Sequence, residues 1–79
     1  MDQTKVYDYV EFNDALALGV IKNVMEILRK RGYNPVNQIV GYLMSGDPGY
    51  ITSYEDARSM LLQFDRSKLI EVLLKEAMK

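Results

Sequence analysis

DALALGVIKNVMEILRKRG, residues 14–32, is the stretch on which the fold class turns. Leu18, Ile21, Met25 and Leu28 recur at spacings of three and four, and Val20, Val24 and Ile27 follow on an adjoining stripe. That is the period of an amphipathic helix, not of a strand. Asn13 or Asp14 can cap its start. Arg29, Lys30 and Arg31 crowd the last turn, where the helix dipole favours cations, and Gly32 supplies the left-handed residue that closes it. A long first helix is expected over residues 14–31.

Downstream, Asn34-Pro35 reads as an N-cap followed by proline at the first helical position, where the missing N–H costs nothing. The second helix carries Val36, Ile39, Val40, Leu43 and Met44 and stops at Gly46. Gly41 and Ser45 lie one turn apart on it and leave a small-residue groove that another helix could approach closely. A glycine inside a helix costs about 1 kcal/mol against alanine, so a packing reason is expected. Gly46-Asp47-Pro48-Gly49-Tyr50 is a strong turn signal. Thr52-Ser53-Tyr54-Glu55 matches a capping box, which predicts a third helix from there with Ala57, Met60, Leu61 and Phe64 on its apolar face. Asp65 then caps a fourth helix through Leu69, Ile70, Val72, Leu73, Leu74, Ala77 and Met78.

Upstream, Val6 to Phe12 alternates with some strand character but has no second strand to pair with. The expected organisation is a flexible N-terminal tail, residues 1–12, followed by one all-α domain, residues 13–79. That domain is a compact four-helix subunit whose halves are helix-turn-helix-like.

Composition removes whole classes of function. Seventy-nine residues allow one domain. Ten basic against eleven acidic residues leave a net charge of −1, which argues against a surface that neutralises nucleic-acid phosphates or anionic lipid. With no cysteine and no histidine, disulfides, thiolate chemistry, common zinc sites and imidazole bases are excluded, and no metal or cofactor is expected. A hydrolase would have to use Ser–Lys or paired carboxylates, and no Ser-x-x-Lys occurs. Glu55 and Asp56 fall in an expected first helical turn, where dipole stabilisation accounts for them. Asp47 is alone in a turn, and Gly46 to Gly49 lacks the Lys-Ser/Thr ending of a phosphate loop. No enzymatic activity is expected. No apolar run approaches the ~20 residues of a membrane span, and the N-terminus lacks a secretory signal, so a cytoplasmic protein without membrane insertion is expected.

Two helices joined by a tight turn also invite a helix-turn-helix reading, and a nucleic-acid-binding module is the alternative to a regulatory role. Charge speaks against it: residues 47–65 hold Asp47, Glu55, Asp56 and Asp65 against Arg58 alone. Tyrosine is abundant, and Tyr33, Tyr42, Tyr50 and Tyr54 flank the turns, a usage that suits half-buried interfaces. The second helix and the Gly-Asp-Pro turn are therefore expected to form a homodimer contact of two-fold symmetry, with ordinary core packing of a monomer as the competing account.

GYNPVNQIVGYLMSGDPGYI, residues 32–51, followed by Asp56-Ala57-Arg58, resembles the IreB family of small bacterial regulatory phosphoproteins. The similarity runs from about Thr4 to the last helix and is strongest over residues 32–58. The resemblance implies an all-α homodimer without enzymatic activity, whose N-terminal segment is phosphorylated on threonine by a Ser/Thr kinase and which acts in cell-envelope stress signalling through an unknown downstream protein. The phosphoacceptor of the family falls on Thr4. Gly32, Tyr33, Asn34, Pro35, Asn37, Gln38, Gly41, Tyr42, Ser45, Gly46, Asp47, Pro48, Tyr50 and Arg58 make up the expected dimer or interaction motif. A phosphate on Thr4 is expected to draw the tail away from the acidic 47–65 region and towards Arg29, Lys30 and Arg31.

Overall fold

Four α-helices carry the chain: α1 (Gln3–Lys30), α2 (Pro35–Ser45), α3 (Ala57–Leu62) and α4 (Arg66–Ala77). Two 3₁₀ turns, Pro48–Tyr50 and Tyr54–Asp56, lie between α2 and α3. The computed structural model describes the backbone of residues 3–79 and the side chains of residues 9–79. Residues 1 and 2 of the expected tail, and the Thr4 side chain, lie outside the described part.

α1 is the spine, and α2, α3 and α4 all pack against it. Its stripe Ala17, Ile21, Val24 and Leu28 is buried, with Ile27 beside it. Ile39 and Tyr42 from α2, Ile51 from the turn, Ala57 and Leu61 from α3, and Leu69 and Val72 from α4 complete one core. Leu18, Val20 and Met25 sit at its margin. The expected faces of α2 and α4 are only partly correct: Val36, Val40 and Met44 point outward, as do Ile70, Leu74 and Met78. A helix that touches its neighbours on one side can bury only about a third of its circumference, and Tyr42 takes the inward place on α2.

The helix ends follow the local chemistry read above. Gly32 adopts φ 86°, and the Tyr33 N–H donates to the Leu28 carbonyl at 3.0 Å, closing α1 in a Schellman-type turn. The Asn34 side chain accepts from the Asn37 N–H at 3.1 Å, with Pro35 at the first helical position. Asp65 stands at the N-cap of α4 in extended conformation, although its side chain makes no capping bond.

Two expectations are corrected. The capping box at Thr52–Glu55 does not form. The Thr52 hydroxyl accepts from the Tyr54 N–H at 3.2 Å, while Glu55 and Asp56 take left-handed conformations at φ 52° and 62°. α3 therefore starts only at Ala57 and is six residues long. Two left-handed residues in succession reverse the chain so that Ile51 and Ala57 both reach the core, which outweighs the local strain. The first helix is also longer than expected. It begins at Gln3 and runs through Asn13 and Asp14 without a break, so no change of secondary structure marks a boundary at 12/13. Val6, Val10 and Phe12 fall on one parity, but Val6, Tyr9, Val10 and Phe12 are also spaced by threes and fours as a helix requires. Once a helix is nucleated each added residue gains its own hydrogen bond, whereas a lone strand gains none.

Asp14 is therefore not a cap. Lys68 Nζ lies 2.5 Å from its Oδ1 and Lys75 Nζ 2.9 Å from its Oδ2, and Lys75 also meets Glu71 at 3.0 Å. This cluster ties α4 to the point where α1 leaves the core. Hydrogen bonds from Lys68 and Lys75 hold the Asp14 carboxyl below the usual carboxylate range, and the same partner pushes both ammonium groups up. A depressed carboxyl stabilises the fold above its unfolded value and loses that contribution as pH falls through the folded one. The raised lysines contribute below their unfolded value and lose it as pH rises through the folded one. The contribution should be flat between about pH 5 and 9. In urea titrations, Asp14→Asn should lower the midpoint across that window, and the two proteins should converge as the pH falls through the lowered folded-state value of Asp14. A constant gap at all pH values would show that the ion pairs contribute nothing.

Candidate interaction site

The motif over residues 32–51 folds into a platform made of α2 and the turn that follows it. Gly41 explains its own presence. A Cβ there would fall within the Tyr50 ring, 2.9 Å from Cζ and closer still to Cδ1 and Cε1. The packing reason is thus inside the chain: the Tyr50 ring occupies the space beside Gly41 on α2. Gln38 Nε2 donates to the Tyr50 carbonyl at 2.9 Å and fixes the same residue from the other side. Ser45 Oγ donates to the Gly41 carbonyl at 2.7 Å and accepts from the Asp47 N–H at 3.0 Å, joining the last turn of α2 to the reversal. Asp47 caps the 3₁₀ turn by accepting from the Gly49 N–H at 2.8 Å, with Pro48 in its first position.

Two arginines lock the platform to the rest of the fold. Arg58 Nε donates to the Ile51 carbonyl at 2.9 Å, which is the bond that ties α3 to the end of the motif. Arg66 Nη1 donates to the Leu43 carbonyl at 3.1 Å and satisfies one of the unpaired carbonyls at the end of α2. The sequence reading missed Arg66. Gly46 holds a left-handed φ of 77°, which accounts for its glycine, and a Cβ there would meet only the flexible tip of Arg66, so no letter of the sequence marks that contact.

Of the expected motif residues, Gly32, Asn34, Pro35, Gln38, Gly41, Ser45, Gly46, Asp47, Pro48, Tyr50 and Arg58 build the scaffold, and Tyr42 is buried within it. Tyr33 is exposed, and Asn37 contributes its backbone N–H. The outer face of α2, with Val36, Val40 and Met44, forms an apolar ridge beside them.

The basic end of α1 is partly neutralised. Arg29 pairs with Glu26 through Nε at 3.0 Å and through Nη2, which holds the Glu26 carboxyl below its ordinary value. Arg31 stacks over the Tyr54 ring at 4.1 Å from its centroid. α3, which would have to enter a DNA groove, has only six residues and follows Glu55 and Asp56. A concavity of about 420 Å³ lies away from the motif between α1 and α4. Its Asp14 and Lys75 are paired to each other. Among the described residues no cluster of carboxylates has the arrangement of a metal site, and no helix is long and apolar enough to cross a membrane.

The fold is that of a small all-α protein whose longest motif is a turn platform built by backbone-directed side chains. The profile of the IreB regulatory phosphoprotein family matches residues 2–79. The chain is a member of that family.

The Gly41–Tyr50 contact sets two effects against each other. Alanine favours the helix by up to about 1 kcal/mol, but it displaces the Tyr50 ring. Gly41→Ala should destabilise the protein by about 1–2 kcal/mol in chemical denaturation. In a Tyr50→Ala background the same change should become stabilising by up to about 1 kcal/mol. Equal effects in both backgrounds would remove the ring from the account.

Proposed function

We propose that the protein is a non-enzymatic cytosolic regulator, a homodimer that a bacterial Ser/Thr kinase phosphorylates on Thr4 and that passes a cell-envelope stress signal to a downstream protein. The observation that carries this reading is the family match over nearly the whole chain. Position supports it. Thr4 lies in the first turn of α1, and the nearby described residues Tyr9, Val10, Glu11 and Phe12 are all exposed, so a kinase can reach this arm without opening the core.

Electrostatics supports it too. The first turn of α1 has no acidic residue. A phosphate there adds nearly two negative charges at the positive end of the helix dipole, where they stabilise the helical arm. The expected swing of a phosphorylated tail onto Arg29, Lys30 and Arg31 of the same chain does not fit α1. With a rise of 1.5 Å per residue, a continuous helix holds Thr4 about 40 Å from Arg31. The phosphate acts instead on helix stability and on whatever approaches the arm.

Incubation with a bacterial Ser/Thr kinase, read by mass spectrometry, should place one phosphate on the wild type and none on Thr4→Ala. Phosphorylation should also raise the helical circular-dichroism signal slightly. Undiminished incorporation into Thr4→Ala would move the acceptor elsewhere.

A further inference from the structure

α3 begins without a cap. Asp56 stands at its N-cap position in left-handed conformation and makes no side-chain capping bond, and Ser53 makes none at the start of the preceding 3₁₀ turn. A complete capping box, Thr52-Ser53-Tyr54-Glu55, nonetheless lies just upstream and is unused. Among the described residues, Glu55 and Asp56 are the non-glycine positions with positive φ, and both are exposed. Ser53 is already right-handed, at φ −80° and ψ −6°. Two residues therefore separate this strained turn from a helix that would start at Ser53, and the conflict between local signal and tertiary demand is confined to one short segment.

Two arginines hold the strained form. Arg58 donates from Nε to the Ile51 carbonyl at 2.9 Å and from its backbone N–H to the Thr52 carbonyl at 3.0 Å. Arg31, at the end of α1, stacks over the Tyr54 ring 4.1 Å from its centroid. Both grip residues that a longer helix would have to move. In the helical form the Thr52 hydroxyl would accept from the Glu55 N–H instead of the Tyr54 N–H, and the Glu55 carboxylate would reach back to the Thr52 N–H. α3 would then run over residues 53–62, with Tyr54 joining Ala57 and Leu61 on one face at spacings of three and four. Ile51 opposes that change, because the reversal is what keeps it in the core at 1% exposure.

We propose that residues 52–56 are a two-state switch, in which the left-handed turn latched by Arg58 and Arg31 exchanges with a capped helix beginning at Ser53. Arg31 is the exposed latch. A partner's carboxylate or phosphate that draws it off the Tyr54 ring shifts the population towards the helical form. The switch adjoins the platform of residues 32–51 through the Arg58 bond to Ile51 and does not depend on phosphorylation of Thr4.

Position 56 separates the two forms, because glycine favours the left-handed region and alanine the helix. In nuclear magnetic resonance of the full chain, strong intraresidue HN–Hα Overhauser effects should mark positive φ at Glu55 and Asp56. Relaxation dispersion should show microsecond-to-millisecond exchange confined to residues 52–58. Asp56→Gly should quench that exchange and raise the urea midpoint. Asp56→Ala should replace the intraresidue effects by a contact between the Ser53 Hα and the HN of residue 56. Arg31→Ala should raise the minor population about threefold. If Asp56→Ala kept positive φ at positions 55 and 56 and only lowered the urea midpoint, the turn would be a fixed feature and the switch would be overturned. Dispersion that is flat in both the wild type and Arg31→Ala would overturn it too, whether or not Asp56→Ala folds.

Discussion

Burial of the Ala17, Ile21, Val24 and Leu28 stripe of α1 is the constraint from which the rest of the architecture follows. A single 28-residue helix exposes far more apolar surface than it can bury alone, and α2, α3 and α4 cover that stripe from different sides. α3 has six residues and could not persist as a helix in isolation, so its form is a consequence of Ala57 and Leu61 docking on α1. The same demand explains the left-handed pair Glu55 and Asp56. Local conformational preference yields where the chain must deliver two buried residues, Ile51 and Ala57, to one core within six positions.

Polar chemistry then finishes what packing begins. Gln38, Arg58 and Arg66 each donate to a backbone carbonyl of α2 or of the turn after it, and Asn34, Ser45 and Asp47 each accept a backbone N–H. Such bonds have fixed directions, and an unsatisfied backbone group is costly, so the platform is held in one shape. This accounts for residue types that a catalytic reading would find puzzling: the motif is rich in amides, glycine and tyrosine because it positions backbone. What it presents outward is Tyr33, Asn37 and the ridge of α2.

The two ends of α1 have different characters. The C-terminal half is embedded in the core, while the N-terminal half projects with Tyr9 and Phe12 exposed. Asp14, gripped by Lys68 and Lys75, stands where one becomes the other. On the proposed reading, a phosphate on the arm acts on the arm's helicity and on contacts made by the arm.

The sequence by itself determined the all-α class, the ends of α1 and α2 near Gly32, Asn34 and Gly46, and the membership suggested by residues 32–58. These are short-range matters: a cap, a left-handed residue or a proline acts within four positions, and its chemistry is written in adjacent letters. Tertiary structure alone decided where α1 begins, which face of α2 points inward, why Gly41 is small, and that Glu55 belongs to no capping box. Those features depend on what arrives from a distance. Gly41 is set by Tyr50 and Asp14 by Lys68 and Lys75, pairs separated by nine to sixty-one positions in the chain. Helical periodicity marks a face as apolar but does not say which of several apolar residues wins the limited buried space, because that choice is made by the shape of the neighbouring helices.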